Sequence, residues 1–275
     1  TGSLVPIDFS QIKNHVPELH RASISIEAVS FNPPIDSSNT NPSHWRKIAT
    51  LITKHYNNYD GFVILHGTDT MAFTASALSF MLEGLKKPVI LTGSQLPIGM
   101  PRTDGRENLL SSVMISALKE ATGEPVIQEV SVYFGSKLLR GNRAHKQSAH
   151  SFDAIASPNY PSLVDAGVDF KVNHSALYRT EGVNLSLKTR FESQIAWLPF
   201  FPGMSFDLFE SILEKERLRG IVLSTFGSGN APDSEPLKDM LKRSIDRGVT
   251  AVNITQCGHG GLKPEMYSTS LMLTE

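Results

Sequence analysis

The sequence predicts an α/β protein in which a larger N-terminal domain with a parallel sheet precedes a smaller C-terminal α/β domain. Strand-like and helical patterns alternate through the first half of the chain, weaken between residues 159 and 190, and then resume. Such alternation favours a parallel sheet flanked by helices, here of the flavodoxin or Rossmann kind. We therefore expect an N-terminal domain at 1–170, a linker at 171–193 and a C-terminal domain at 194–275.

Seven elements are predicted in the first half of the chain. The apolar, partly β-branched run at 62–65 is typical of a strand buried on both faces. Pro42 is well placed to begin a helix, because proline is favoured in a first helical turn. In chain order the elements are a strand at 22–29, a helix from 42, a strand at 62–65, a helix from 71, a strand at 88–92, a helix near 107–121 and a strand at 129–134.

The second half carries a shorter version of the same alternation. Its predicted elements are a strand at 195–200, a helix at 205–217, a strand at 220–224, a helix at 235–246 and a strand at 250–255. The last residues, Ser270 to Glu275, form an apolar run that stops before any further element. We therefore expect the C-terminal domain to be incomplete in this sequence.

Composition excludes several classes of protein. The 275 residues are 40% hydrophobic and 19% charged, as in an ordinary globular protein. The formal net charge of −1 and the lack of a long basic run do not indicate a nucleic-acid partner. The single cysteine, Cys257, excludes an internal disulfide and suits a reducing cytoplasm. No apolar stretch approaches the roughly 20 residues that span a bilayer, so we expect a cytoplasmic protein without a membrane partner.

Polar residues follow the predicted strand at 62–65, at the point where it turns into a helix. His66 and Gly67 end the strand, and Thr68, Asp69 and Thr70 precede the helical pattern. In open α/β sheets, ligands bind at the carboxyl ends of the parallel strands. A helix N-terminus at this edge favours anionic groups. On the residues alone, the alternative is that Asp69 or Thr70 merely caps the helix.

The stretch from Asp60 to Met71, Asp-Gly-Phe-Val-Ile-Leu-His-Gly-Thr-Asp-Thr-Met, resembles the second signature of bacterial-type L-asparaginases. The similarity is to the cytoplasmic (type I) branch of that family, and it covers essentially the whole chain. Further matching segments follow in the family's order at 75–82, 87–97, 140–143, 152–154, 156–159, 229–232 and 253–257. A run of this length is far more specific than a three-letter motif.

The resemblance implies hydrolysis of L-asparagine to L-aspartate and ammonia without a cofactor or a metal ion. Thr68, Asp69 and Lys146 match the catalytic residues, in which a Thr-Lys-Asp cluster activates a hydroxyl or a water. Asp69 also matches the residue that holds the α-ammonium group of the substrate. Ser37 and Ser38 match the pair that binds the α-carboxylate; without the resemblance they would be turn or cap residues.

Two further positions and an assembly follow from the same resemblance. The family approaches the carboxamide of the substrate through the segment around Ser94, which could otherwise be a plain turn. The pair that matches Gly229 and Asn230 lies where one subunit completes the active site of its neighbour. Because the family forms homodimers, often paired into homotetramers, we expect the same assembly here.

Lys146 is the residue whose expected role depends most on its surroundings. A hydroxyl is inert at neutral pH until a neighbour accepts its proton. A lysine can accept that proton only if burial or another cation lowers its pKa. The alternative interpretation is that Lys146 is an exposed loop lysine, as most lysines are.

The sequence departs from the family in its first residues. The first signature, Thr-Gly-Gly-Thr-Ile-Gly with the primary nucleophilic threonine, is absent, and Thr1 to Pro6 resembles the segment that follows it, with Leu4 in place of a usual tyrosine. We therefore expect the sequence to be part of a longer chain. Two alternative functions stay open: the amidase subunit of an archaeal-type tRNA-dependent amidotransferase, and a non-catalytic amino-acid-binding module of the same fold.

Overall fold

The computed structural model describes residues 16–20 and 24–263. The chain divides between Thr189 and Arg190 into two compact units. This division lies inside the predicted linker, and the domain boundaries given above stay a prediction. The expectations for Thr1 to Pro6 and for Ser270 to Glu275 concern residues outside the described part of the chain.

The first unit is built on a six-stranded sheet. In spatial order its strands are β1 (Phe62–Leu65), β3 (Val89–Thr92), β4 (Val130–Phe134), β5 (Lys137–Arg140), β8 (Val164–Ala166) and β9 (Phe170–Val172). The strands β1, β3 and β4 run parallel, and the remaining pairs are antiparallel. The predicted α/β fold is therefore confirmed, with an antiparallel half of the sheet that the sequence did not predict.

Among the described residues of the first unit, two pairs of short strands and three α-helices accompany this sheet. The strand β2 (Leu82–Glu83) pairs with β10 (Ser186–Leu187), and β6 (His145–Lys146) pairs with β7 (Ile155–Ala156). The helices are α1 (Pro42–His55), α2 (Met71–Met81) and α3 (Gly105–Ser116). Helix α1 begins where predicted because Asn41 caps it, accepting a hydrogen bond from the Ser43 N–H, while Pro42 takes the first position.

The helix predicted near 107–121 is α3, which begins and ends earlier than expected. Beyond Ser116 the chain folds into a small hairpin instead, in which the Glu120 N–H donates to the Glu124 carbonyl over 2.8 Å. Gly123, at a φ of +86°, forms the tip of this hairpin. Pro125 follows, and a proline cannot extend a helix. The hairpin therefore takes the place of the last predicted helical turn.

Two further expectations about the first unit are wrong. Residues 24–29, the described part of the strand predicted at 22–29, belong to no strand; Ile24 and Ile26 pack against a small cluster around Leu109 without pairing to a described strand. Residues 159–190, where no element was predicted, contain β8, β9 and β10. These strands have two or three residues each, too few for an alternating pattern to be recognised in the sequence.

The central strands of the sheet are buried on both faces. Successive side chains of a strand point to opposite faces, and here each face has its own apolar cluster. Val89 and Leu91 belong to the apolar cluster of α1 and α2, whereas Ile90 between them belongs to the opposite cluster with Ile115. The strand β1 is only half-buried, and Leu65 is exposed, because β1 is the edge strand of the described sheet. The full burial predicted for 62–65 is therefore wrong.

The second unit is a smaller α/β layer, as predicted. Its parallel strands are β11 (Ile195–Pro199), β12 (Gly220–Thr225) and β13 (Thr250–Thr255), with helices α4 (Asp207–Leu213) and α5 (Glu235–Asp246). Helix α4 is shorter than the predicted 205–217, because residues 214–217 are exposed and have no apolar side to bury. None of the described helices is long and apolar enough to cross a membrane.

Candidate active site

Three segments, around Ser37, around Gly67 and around Gly93, converge at the carboxyl ends of β1 and β3. Two glycines lie at their points of contact. The His66 N–H donates to the Thr92 carbonyl over 2.8 Å. A Cβ on Gly93 would lie 2.1 Å from the His66 carbonyl oxygen, and a Cβ on Gly67 would lie 2.5 Å from the Ser37 Oγ. Because any larger side chain would push these segments apart, the two glycines permit the convergence.

Thr68, Asp69 and Lys146 lie together at this edge of the sheet. The Lys146 Nζ donates to the Thr68 Oγ1 over 2.9 Å and to the Asp69 Oδ1 over 2.6 Å. The Lys146 side chain is 21% exposed, whereas that of Asp69 is 65% exposed. The ammonium is therefore largely covered and the carboxylate faces solvent. Lys146 is not the freely exposed loop lysine of the alternative interpretation.

The capping interpretation of Asp69 and Thr70 is also wrong. Thr70 stands at the capping position of α2 but makes no side-chain capping hydrogen bond. Its hydroxyl donates instead to the Ser37 carbonyl over 2.6 Å. Because Asp69 pairs with Lys146, both polar side chains join the converging segments rather than the end of the helix.

The backbone that carries Lys146 is fixed on both sides. In the β6–β7 hairpin, Lys146 pairs with Ile155, which is buried in the core of α1 and α2. On the other side, the 3-10 turn Gly141–Arg143 packs against α2. A Cβ on Gly141 would lie 2.9 Å from the Val130 carbonyl oxygen, so this turn sits tightly on the sheet.

Arg140 anchors the end of β5, from which the Lys146 segment departs. Its Nε donates to the Glu129 Oε2 over 2.6 Å, and the two side chains are only 17% and 7% exposed. The Tyr160 ring lies 4.2 Å from the guanidinium, and the Arg140 Nη2 also donates to the Ala176 carbonyl. No role for this ion pair was predicted from the sequence.

Gln95 is a member of the site that sequence reasoning missed. The Thr68 hydroxyl donates to the Gln95 Oε1 over 3.1 Å, and the Gln95 Nε2 donates to the Ser151 carbonyl over 3.1 Å. The Asp104 carboxylate accepts from the backbone N–H groups of Gln95 and Leu96 and so fixes this loop. A signal was present: Leu65 pairs with Thr92, and Thr68 and Gln95 each follow these residues by the same short interval.

The Ser37–Ser38 segment lies against the Gly67–Thr70 turn. Ser37 is buried, and Ser38 is exposed. The Ser38 N–H and hydroxyl both donate to the Asp36 Oδ1 over 3.0 Å, and these hydrogen bonds lower the pKa of the Asp36 carboxyl. Asp36 thereby fixes the short 3-10 turn Ser37–Asn39. The structure thus places the predicted carboxylate-binding pair beside the Thr68 segment.

Ser94 and Asn230, the two remaining predicted residues, belong to different units. Ser94 follows β3 and packs against the start of α3, where a Cβ on Gly105 would lie 3.2 Å from the Ser94 Oγ. Asn230 closes a tight loop after β12, in which its N–H donates to the Phe226 carbonyl over 2.8 Å. Ser94 therefore joins the first unit's site, and Asn230 is a feature of the second unit.

His66 forms a hydrogen-bonded chain beneath the site. Its Nδ1 lies 2.7 Å from the Gly67 carbonyl, which can only accept, so Nδ1 carries the proton. The Nε2 then accepts from the Thr74 hydroxyl over 2.8 Å, and the Trp45 Nε1 donates to the same hydroxyl over 2.9 Å. Burial lowers the pKa of His66, although the hydrogen bond to the Gly67 carbonyl acts in the opposite direction.

In the site above this hydrogen-bonded chain, the Thr68 hydroxyl has a donor, the Lys146 Nζ, on one side and an acceptor, the Gln95 Oε1, on the other. Lys146, at 2.9 Å, is near enough to Thr68 to exchange a proton with it. The exposed Asp69 carboxylate can hold a cationic group of a ligand. Within residues 16–20 and 24–263, no group of three or more His, Cys, Asp or Glu side chains could hold a metal ion.

Comparisons with known proteins agree with this fold. Residues 1–178 match the family model described as "Asparaginase, N-terminal", and residues 194–275 match "Glutaminase/Asparaginase C-terminal domain". The chain is 41% identical over 256 residues to L-asparaginase 1 of Escherichia coli, covering 92% of this chain and 73% of that protein. It is 42% identical over 231 residues to the 60 kDa lysophospholipase of Homo sapiens, covering 84% of this chain and 39% of that protein.

A solved structure supports the same assignment. The crystal structure of L-asparaginase I from Vibrio cholerae matches with a TM-score of 0.84 and 38% identity, covering 94% of this chain and 77% of that one. Together the matches define a two-domain α/β protein with asparaginase N-terminal and C-terminal domains. The chain belongs to the asparaginase family, and the resemblance to its type I branch is confirmed.

Proposed function

We propose that this chain hydrolyses L-asparagine to L-aspartate and ammonia. The observation that carries the proposal is the position of Lys146, whose ammonium hydrogen-bonds to both the Thr68 hydroxyl and the Asp69 carboxylate. Family membership supports the same reaction. The site thus brings together the Thr68 hydroxyl, the Lys146 amine that can exchange a proton with it, and the Asp69 carboxylate that can bind an amino group.

Hydrolysis of the amide needs a nucleophile, a base that activates it and an acid for the leaving nitrogen. In its neutral form, Lys146 takes the proton of the Thr68 hydroxyl or, through it, of a neighbouring hydroxyl or water. The activated oxygen adds to the carboxamide carbon, Lys146 returns the proton to the nitrogen, the C–N bond breaks and ammonia leaves. If a hydroxyl adds, water then cleaves the ester to release aspartate.

The remaining residues of the site orient the substrate. Asp69 accepts the α-ammonium group, since its carboxylate is exposed while Lys146 is covered. Ser37 and Ser38 bind the α-carboxylate from the turn beside Gly67. The segment at Ser94 faces the carboxamide. The α-ammonium group, the α-carboxylate and the carboxamide of asparagine would thus each contact a different one of the three converging segments.

The proposed assembly is a homodimer, or a homotetramer formed from two dimers, in which Asn230 of one subunit contributes to the active site of its neighbour. Family membership supports this arrangement. We place the protein in the cytoplasm, without a nucleic-acid or membrane partner. Sedimentation of the full-length protein tests the assembly, and a monomer at micromolar concentration would contradict it.

The reaction is tested with the full-length protein and L-asparagine. We expect ammonia and aspartate in equal amounts, and their loss in Thr68→Val, with exposed Thr122→Val as the matched control. Saturable asparagine binding without either product would instead identify a non-catalytic binding module. Parallel assays with L-glutamine determine the side-chain preference.

A further inference from the structure

Among the described residues, Arg102 is the only residue other than glycine with a positive φ, +62°. The Thr103 N–H donates to the Met100 carbonyl over 3.2 Å and closes a turn with Pro101 and Arg102 at its centre. This is the arrangement of a type II turn, in which glycine or asparagine is usual at the position of Arg102. A long side chain here is strained, and such strain is concentrated at functional sites.

The Arg102 side chain reaches the loop that follows Lys146. Its guanidinium carbon lies 6.0 Å from the centre of the Phe152 ring, and Phe152 is 38% exposed. An arginine over an aromatic face is attracted by the negative charge of that face. The strained turn of one loop thus places a cation on the ring of another.

Each of these loops is braced within itself, so neither needs the other to keep its own shape. In the 95–104 loop, the Asp104 carboxylate accepts from two backbone N–H groups, and the Thr103 hydroxyl donates to the Leu96 carbonyl over 2.8 Å. In the 147–153 loop, the Ser148 hydroxyl oxygen accepts from the N–H groups of His150 and Ser151. These contacts leave the relative position of the loops undetermined.

Two contacts join the loops to each other. Near the base, the Gln95 Nε2 donates to the Ser151 carbonyl over 3.1 Å. Toward the tip, Arg102 lies over Phe152. Because Gln95 also holds the Thr68 hydroxyl, a shift of one loop against the other would move the Gln95 amide relative to Thr68.

We propose that Arg102 and Phe152 are positioning residues whose contact, here named the loop bridge, holds the two loops together and so keeps the Gln95 amide in place beside Thr68. The strained backbone of Arg102 is retained because it aims the guanidinium at Phe152. This role rests on the proposed hydrolysis of asparagine. The bridge itself touches neither Thr68 nor Lys146, so it acts through the loops.

Kinetics of the full-length protein test the catalytic consequence. Phe152→Leu removes the ring, and we expect kcat to fall roughly two- to five-fold, the effect of losing an exposed cation–π contact, with a smaller change in KM. Phe152→Tyr keeps the ring and should keep kcat. Arg102→Gly should also lower kcat without lowering the melting temperature, because glycine relieves the strained φ. Equal kcat in Phe152→Leu and the wild type would overturn the proposal.

Backbone hydrogen exchange separates this proposal from the proposed function. Exchange in residues 147–153 should accelerate in Phe152→Leu and in Arg102→Gly, and the double variant should exchange no faster than either single one. A wild-type protein that hydrolyses no asparagine would refute the proposed function, while exchange still decides whether the bridge exists. Unchanged exchange in Phe152→Leu, or fully additive effects in the double variant, would refute the bridge.

Discussion

Thr68 and Gln95 are joined by a hydrogen bond of 3.1 Å in which the threonine hydroxyl donates to the amide oxygen. The other end of the amide fixes this direction, because the Gln95 Nε2 donates to the Ser151 carbonyl. Lys146 donates to the same hydroxyl oxygen from another side. In this resting arrangement the Thr68 proton points at Gln95, and it must turn toward Lys146 before Lys146 can accept it.

Replacing Gln95 by methionine should slow turnover more than it weakens binding. Methionine has a similar length but neither accepts from Thr68 nor donates to Ser151, so the Thr68 oxygen loses a contact that positions it beside Lys146, and the loop at Gln95 loses its hydrogen bond to Ser151. Two lost hydrogen bonds correspond to a decrease in kcat of about tenfold. Steady-state kinetics with asparagine measure it, with exposed Gln194→Met as the control. An unchanged kcat would assign Gln95 to loop structure alone.

Lys146→Met should abolish most turnover and leave substrate binding largely intact. Because the proton transfer occurs only in the reaction itself, kcat and kcat/KM should fall together. The loss of a positioned general base corresponds to roughly 10²-fold or more. The matched control is Lys137→Met, which removes an exposed lysine of β5. A normal kcat in Lys146→Met would exclude Lys146 as the base.

Asp69→Ala should chiefly raise KM, because the α-ammonium group of the substrate loses its counter-ion. A hydrogen bond to a charged group contributes about 1.5–3 kcal/mol, equivalent to a rise in KM of roughly 10- to 100-fold. Succinamate, which lacks the amino group, provides the control substrate. The wild type should strongly prefer asparagine to succinamate, and the variant should lose this preference. A preference that survives the substitution would assign recognition of the amino group to another residue.

His66→Gln should make folding stability less sensitive to mild acid. The folded state lowers the pKa of His66 from its ordinary value of 6.5. As the pH falls below that value, the unfolded chain binds a proton that the folded chain does not, and stability decreases. Glutamine cannot titrate, so its variant lacks this loss. Denaturant midpoints between about pH 7.5 and pH 5 should converge for the two proteins; parallel curves would contradict the assignment.

Gly93→Ala should destabilise the fold and the site together. The added Cβ would lie 2.1 Å from the His66 carbonyl oxygen, a backbone atom that cannot move without displacing β1. Overpacking of this kind costs about 1–3 kcal/mol of unfolding free energy. Gly167→Ala is the control, since its Cβ would have only an ordinary contact at 3.8 Å. Equal denaturation midpoints for the two variants would show that β1 and β3 can separate freely.

The sequence predicted the elements that have a clear helical or strand pattern and missed the short antiparallel strands, which have none. Helix α5 occupies the predicted 235–246 and buries Leu237, Met240 and Leu241 on one side. Strand β13 occupies the predicted 250–255, where its six residues pair with β12. The antiparallel strands β8 and β9 have no such pattern: β8 pairs with β5, and β9 pairs with β8. Hydrophobic periodicity therefore does not identify strands as short as two or three residues.

The candidate site divides in the same way. Thr68 and Asp69 were found from the strand end that precedes them, whereas Lys146 depended on the resemblance, since nothing in its loop distinguishes it from other lysines. Gln95 was missed because its side chain acts through an amide oriented by Ser151, 56 residues further on. Arg102 could not have been found, because a positive φ is not visible in a sequence.

The site joins residues that are distant along the chain, and this affects the order in which the protein folds. Thr68 meets Gln95 across 27 residues and Lys146 across 78, and Thr70 meets Ser37 across 33. Each such closure costs chain entropy before any contact compensates for it, so non-local contacts form slowly. Helices α1, α2 and α3 can form from neighbouring residues, while the three converging segments require the sheet to be assembled. A newly made chain can therefore form its helices before the residues of the site have met.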